Sequence, residues 1–178
     1  MKLETFIEQR NRKLGVVSSK EAWAIPNAYE EFAEKLYKHD WALTLTLKQT
    51  YLVTTDRGTY LKRLTFEDCQ YIGNRFLARF NRLAYKHKFK RNNKQVKAIW
   101  AIENGGWKRR FHLHFAIGRL PKWHNNLQFI GQAITDIKKH VEELDTVKDI
   151  RHIYSKGWNG YLTKEIRAHR YNNFYIEH

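Results

Sequence analysis

The chain has 178 residues, 42% hydrophobic and 15% aromatic, enough for one globular domain with a full core. Lys and Arg total 33 against 18 Asp and Glu, and the net charge of +15 indicates a polyanionic partner, nucleic acid first and an anionic membrane surface second. The sequence has no apolar run near the roughly 20 residues of a transmembrane helix and no basic amphipathic helix suited to a membrane surface. Its single cysteine, Cys69, excludes an intramolecular disulfide and a cysteine-rich zinc site.

The chain shows no internal division. It has two prolines, no repeat, no low-complexity segment and no linker, so we expect residues 1–178 to form a single domain. Its N-terminus lacks the apolar stretch of a signal peptide. We therefore expect an intracellular, cytoplasmic protein.

The first predicted elements are a helix and a strand. Residues 27–39, NAYEEFAEKLYKH, favour a helix after Pro26. Residues 41–48 read WALTLTLK, and this strict alternation predicts a strand. Thr44 and Thr46 lie on its less apolar face.

A long helix is predicted to begin at Thr65, with Asp68 in a capping-box position. Its apolar residues follow helical spacing on one side. The cations on its other face and its tail are either a solvated helix face or contacts to phosphates. These cations are Arg75, Arg79, Arg82, Lys86, Lys88, Lys90 and Arg91.

The second half predicts three strands and two helices. Residues 95–103 and 111–118 favour two strands joined by a hairpin loop, NGGWKRR. Residues 125–144 show the apolar stripe of a helix, 146–154 favour a fourth strand, and 157–170 favour a final helix. Strands in one sheet with helices packed on it give an α+β fold.

Two histidines share one face of the strand FHLHFAIG. His112 and His114 are two residues apart, so their side chains project together. If the hairpin pairs Glu103 with His112, then Ala101 lies opposite His114, and both strands keep their apolar residues on the core face. Two imidazoles and one carboxylate can hold a divalent ion and leave coordination positions for substrate. The alternative is a pair of surface histidines on an exposed strand face.

The last helix contains the segment GWNGYLTKEI. Tyr161 and Lys164 are three residues apart and share a helical face, with Trp158 one turn away. Tyrosine is a poor nucleophile at neutral pH because its pKa is about 10. A nearby ammonium group and a metal ion would favour the phenolate or stabilise phosphate charge. Alternatively, Tyr161 is an amphipathic aromatic at the rim of the core.

These segments together resemble the HUH endonucleases, and more narrowly the rolling-circle replication initiators, or Rep proteins, of small phages and plasmids. WALTLTLK resembles their first motif, HLH (112–114) the second, and YLTK (161–164) the third. The order and spacing of the motifs also fit, and the resemblance covers about residues 41–166. It implies a central antiparallel sheet of about four to five strands flanked by helices, the ferredoxin-like split βαβ arrangement.

The resemblance also implies a mechanism. Glu103, His112 and His114 would hold Mg²⁺ or Mn²⁺ at a scissile phosphate of single-stranded origin DNA. Tyr161 would attack the phosphate, giving a 5′-phosphotyrosine link and a 3′-hydroxyl that primes replication, while Lys164 offsets developing charge. We expect DNA contacts from Thr44, Thr46, Lys108, Arg109, Arg110 and Trp158.

Other readings remain open. The sequence has no G-x-x-x-x-G-K-[ST] loop, so unwinding would require a host or phage helicase as a partner. A relaxase or a single-strand transposase would use the same chemistry. A non-enzymatic module that binds single-stranded nucleic acid could stack bases on a basic α+β surface.

Overall fold

Eleven helices, strands and turns make up the computed structural model, which describes residues 39–92, 94–103, 110–154 and 174–177. Five strands form the main sheet, and two further strands form a separate ribbon. In chain order the elements are β1 (Trp41–Leu47), β2 (Thr50–Thr55), β3 (Gly58–Arg63), α1 (Phe66–Tyr85), α2 (His87–Asn92), β4 (Lys97–Glu103), β5 (His112–Gly118), a 3₁₀ turn (Lys122–His124), α3 (Leu127–Lys138), β6 (Leu144–His152) and β7 (Phe174–Glu177).

The main sheet has the strand order β6-β1-β5-β4-β7, and its neighbouring strands are antiparallel. Helices α1 and α3 pack on one face, which carries the large buried side chains. Leu43, Trp100 and Phe115 alternate inward from three strands, and the ring of Phe76 on α1 lies 4.9 Å from that of Phe115. The predicted α+β class, with an antiparallel sheet flanked by helices, is confirmed.

The predicted start of the long helix is also confirmed. Thr65 is the N-cap of α1, and its hydroxyl accepts a hydrogen bond from the Asp68 backbone N–H at 3.2 Å. The Asp68 carboxylate accepts one from the Thr65 N–H at 2.9 Å, which completes the capping box. Asp68 also accepts hydrogen bonds from Lys62 at 3.0 Å and Tyr51 at 3.2 Å, so the same carboxylate fastens the β2–β3 ribbon to the helix.

Two predicted helical segments were too long. The helix predicted over 125–144 ends at Lys138, and Leu144 instead begins β6, paired with Leu47. Val141 and Leu144 continue the helical spacing, but Val141 is buried in the turn between α3 and β6 and Leu144 is buried at the start of β6. The basic tail predicted for the first long helix instead forms the separate helix α2. The division occurs at Lys86, whose positive φ of 51° ends α1.

The β2–β3 ribbon and β7 were not predicted. Both faces of the ribbon are largely exposed, so its sequence lacks the apolar alternation that marks a half-buried strand. The helices predicted over 27–39, His39 apart, and over 157–170 lie outside the described residues. In the part of the chain that the structure describes, no helix is long and apolar enough to cross a bilayer.

Candidate functional site

The second face of the main sheet carries a polar row at one end of its strands. The predicted hairpin register is confirmed: Glu103 pairs with His112, and Ala101 pairs with His114. On the other side of β5, β1 contributes Thr46 opposite His112 and Thr44 opposite His114. Residues directly opposite each other on antiparallel strands share a face, so two threonines, two histidines and a glutamate lie together.

Each histidine is held by a threonine hydroxyl. Thr44 Oγ1 lies 3.1 Å from Nδ1 of His114, and Thr46 Oγ1 lies 3.1 Å from Nδ1 of His112. Thr44, Thr46 and His114 are buried. A hydroxyl can donate or accept, so each threonine fixes a ring orientation without imposing one tautomer. In both rings Nε2 is the nitrogen that does not contact a threonine and is in the position to bind another group.

His114 Nε2 contacts the glutamate. It lies 2.6 Å from Oε2 of Glu103, and the side chains are 3% and 24% exposed, respectively. A carboxylate only accepts, so the proton in this contact belongs to Nε2 when His114 is neutral and Glu103 ionised, and Nδ1 then accepts from the Thr44 hydroxyl. The largely buried imidazole is therefore satisfied at both nitrogens.

The donor chemistry of this row fits a divalent ion. Two imidazole nitrogens and a carboxylate form a mixed N/O set, and histidines that bind metals have their second nitrogen hydrogen-bonded, as Thr44 and Thr46 do here. The two imidazole rings lie 6.2 Å apart between centroids. Across the described ranges no three His, Cys, Asp or Glu side chains are already grouped to hold a metal. Binding by all three residues would require a local side-chain rearrangement, including replacement of the His114–Glu103 contact.

Other predicted site residues are partly described. Arg110 precedes β5 beside the polar row and is half exposed, and its guanidinium pairs with the Asp145 carboxylate. The remaining predicted residues lie outside the described residues: Lys108, Arg109, Trp158, Tyr161 and Lys164.

One acidic residue of this face was missed. Asp149 on β6 lies opposite Thr44, which extends the polar row by one strand, and it forms an ion pair with Arg151. The alternation of Asp149 and Arg151 with Ile150 and His152 was the available signal. The strand was predicted, but its polar face was not related to the histidines because β1 and β6 are distant in sequence.

The basic face of α1 is partly structural. Arg75 donates hydrogen bonds from its guanidinium to Glu143 and to the carbonyl oxygen of His140, each at 2.8 Å. That pairing connects α1 to the turn before β6, so Arg75 is committed within the fold. For the other cations of this run, the solvated face and the phosphate contacts stay predictions.

Comparison of the chain with protein-family models, with curated proteins and with solved structures gives no significant match. The polar row, above all Glu103, His112 and His114, and the sheet that positions it are therefore the features from which a function can be inferred.

Proposed function

We propose that this chain is a metal-dependent nickase and strand transferase for single-stranded DNA, which initiates rolling-circle replication of a phage or plasmid. The observation that carries the proposal is the polar row. Glu103 and His112 are paired across two neighbouring strands, and His114 lies two residues along the same face. The hydroxyls of Thr44 and Thr46 contact Nδ1 of the two imidazoles.

The strand order supports the same proposal. The run β1–α1–β4–β5–α3–β6, with spatial order β6-β1-β5-β4, is compatible with the ferredoxin-like split βαβ arrangement that the resemblance implies. The histidines lie on β5, an interior strand, where neighbours on both sides fix their positions. A rigid interior strand suits residues that must hold a precise geometry.

Glu103, His112 and His114 would bind Mg²⁺ or Mn²⁺ there, and the ion would polarise the scissile phosphate. Tyr161 carries the nucleophile: its phenol oxygen bonds to phosphorus, and the bond from phosphorus to the 3′ oxygen breaks. The phenol loses its proton, and the leaving 3′ oxygen becomes a hydroxyl. Lys164 offsets charge on the phosphate. The roles of Tyr161 and Lys164 depend on the sequence resemblance alone.

The decisive experiment uses a pool of randomised single-stranded oligonucleotides, which contains every short recognition sequence. The protein is incubated with the pool and Mn²⁺ and resolved under denaturing conditions. We expect a protein–DNA adduct whose modified peptide contains Tyr161. The matched control is Tyr161→Phe, which keeps the ring and removes only the attacking oxygen. Cleavage without an adduct would indicate hydrolysis by water and contradict the proposal.

A non-enzymatic module that binds single-stranded nucleic acid is the second candidate. It is favoured by the 2.6 Å contact between His114 and Glu103, which satisfies both groups without a metal. The same pool distinguishes the two: the module would bind oligonucleotides and leave them intact in Mn²⁺.

A further inference from the structure

A basic region lies at the end of the main sheet opposite the polar row. The segments 86–102 and 119–135 carry eight Lys and Arg residues and no Asp or Glu, more than half of the net charge of +15. The structure brings the two segments together. Nζ of Lys88 lies 5.9 Å from the ring centroid of Trp123, a cation–π geometry.

Six of these cations are exposed, and none of them forms an ion pair within the described parts of the chain. Elsewhere in the structure basic side chains do find carboxylates, as Arg75 and Arg110 do. We call Trp123 and these six cations the Trp123 surface. The cations are Lys86, Lys88, Arg91, Lys94, Arg119 and Lys122.

Contacts of the neighbouring residues hold the backbone of Trp123 in place. The indole is 68% exposed, whereas its neighbour His124 stacks on Phe129 with ring centroids 4.0 Å apart and an interplanar angle of 8°. His124 Nδ1 also lies 2.8 Å from the carbonyl oxygen of Ala84, and the Asn126 amide donates to the carbonyl oxygen of Trp123 at 3.1 Å. An exposed ring on an anchored backbone loses little freedom when it binds.

The backbone is strained at two of the six cations. Lys86 and Arg119 are the non-glycine residues with positive φ in the described ranges, at 51° and 59°. The Tyr85 hydroxyl donates to the Arg119 carbonyl oxygen and links the two sites. Burial and repulsion from Arg119 lower the pKa of Lys97. Strain and like-charge crowding in one place are typical of a binding surface whose ligand is an anion.

We propose that the Trp123 surface binds single-stranded nucleic acid, with one base stacked on Trp123 and the flanking phosphates bound by the surrounding lysines. A flat exposed ring supplies the stacking partner, and the cations supply the backbone contacts. Arg119 follows β5, seven residues beyond His112, or about 23 Å along the strand. The surface would thus hold the strand at a second point, away from the polar row.

The geometry favours a single strand over other polyanions. A base in a duplex is already stacked on both sides and cannot use the indole face without unstacking. An anionic membrane would need a broad apolar face, but α2 carries only Phe89 as an apolar residue among its six residues. DNA and RNA offer the same base and phosphate chemistry.

The test is fluorescence anisotropy with labelled oligothymidylate and oligouridylate over a series of salt concentrations. Trp123→Ala should weaken binding by about 5- to 150-fold, the usual range for loss of one stacked base. Trp123→Phe should weaken it less because a smaller ring remains. Lys88→Gln with Lys122→Gln should reduce the slope of log affinity against log salt by about 1.4, since each phosphate contact on a single strand contributes about 0.7.

The control removes the same charge elsewhere. Arg57 lies at the ribbon tip and Lys139 follows α3, both exposed. If Arg57→Gln with Lys139→Gln weakens binding as much as the lysine pair at Trp123, the effect is one of net charge and the proposal is wrong. An unchanged dissociation constant for Trp123→Ala would overturn it, as would equal losses on duplex DNA. It would also fail if Trp123 proved necessary for binding to vesicles of anionic phospholipid and not to oligonucleotides. Thermal melting by circular dichroism verifies that each variant folds.

This proposal can be separated from the proposed catalytic function. Oligonucleotide binding that depends on Trp123 should persist in EDTA, which removes divalent ions, whether or not the chain cleaves DNA. Quenching of tryptophan fluorescence by oligothymidylate should be reduced in Trp123→Phe. If the variants at the Trp123 surface weaken binding but the protein shows no metal-dependent cleavage, the nickase proposal is wrong and the proposal that the Trp123 surface binds nucleic acid is upheld.

Discussion

Nε2 of His114 lies 2.6 Å from Oε2 of Glu103, so the two groups that a metal would use are in contact with each other. A metal ion binds the deprotonated nitrogen. Metal and proton therefore compete for the same atom. The Thr44 hydroxyl can serve either state, because it donates to Nδ1 when Nε2 carries the proton and accepts from Nδ1 when it does not.

A neutral His114 should therefore bind Mn²⁺ through Nε2 by moving its single proton to Nδ1, where the Thr44 hydroxyl accepts it, with no net release of a proton. In isothermal titration calorimetry the observed heat should then be independent of the ionisation enthalpy of the buffer. Glu103→Gln keeps the shape of the side chain and removes its charge, and it should weaken Mn²⁺ binding by at least about tenfold, which corresponds to about 1.4 kcal/mol. Binding that is unchanged in Glu103→Gln and in His114→Ala would exclude this row as the metal site.

Thr44 should act through His114. Thr44→Val is nearly isosteric but removes the partner of Nδ1, and such a loss typically costs 10- to 100-fold in metal affinity or activity. The matched control is Thr54→Val on the exposed ribbon, where the Thr54 hydroxyl contacts the Thr59 hydroxyl at 3.2 Å. Single-turnover cleavage and Mn²⁺ titration measure the effect. If both valine variants behave alike, Thr44 has no positioning role.

The sequence predicted the site within the hairpin because both strands carry two distinct faces. Trp100 and Ile102 on β4 match Leu113 and Phe115 on β5, and a shift of one residue would turn one of these pairs away from the core. The threonine partners could not be derived in the same way. β1 and β5 are separated by about seventy residues, and no local pattern fixes the register of strands so far apart.

The errors in the fold predicted from the sequence have a similar origin. The β2–β3 ribbon was missed because Leu52 and Leu61, paired across it, are 69% and 66% exposed, so no buried face imposes alternation. The end of α3 was misplaced because Val141 and Leu144 continue its apolar spacing although they are buried by a turn and a strand. Periodicity records which side chains are buried and not which element buries them.

Gly73 should tolerate no side chain. A Cβ atom there would lie 2.3 Å from the Trp100 indole, so Gly73→Ala should destabilise the fold by about 1–3 kcal/mol through overpacking. Gly131, in the middle of α3, has open space at the same position, and Gly131→Ala should stabilise the helix by about 0.5–1 kcal/mol. Urea denaturation measures both changes. Opposite signs are expected, and two stabilising changes would mean that Trp100 does not pack against Gly73.

His39, two residues before β1, should make the free energy of unfolding depend on pH. Burial lowers the pKa of His39 from 6.5 to about 4, so the folded state keeps the imidazole neutral where the unfolded chain protonates it. The folded-state pKa is the lower one, and the contribution to stability is therefore complete above pH 6.5 and is lost as the pH falls toward 4. At about 1.4 kcal/mol per pKa unit, the loss should approach about 3 kcal/mol. Urea denaturation between about pH 7 and pH 4 measures it. His39→Gln does not titrate, so its free energy of unfolding should fall less over that range, and parallel curves for the two proteins would show that His39 is protonated in the folded state.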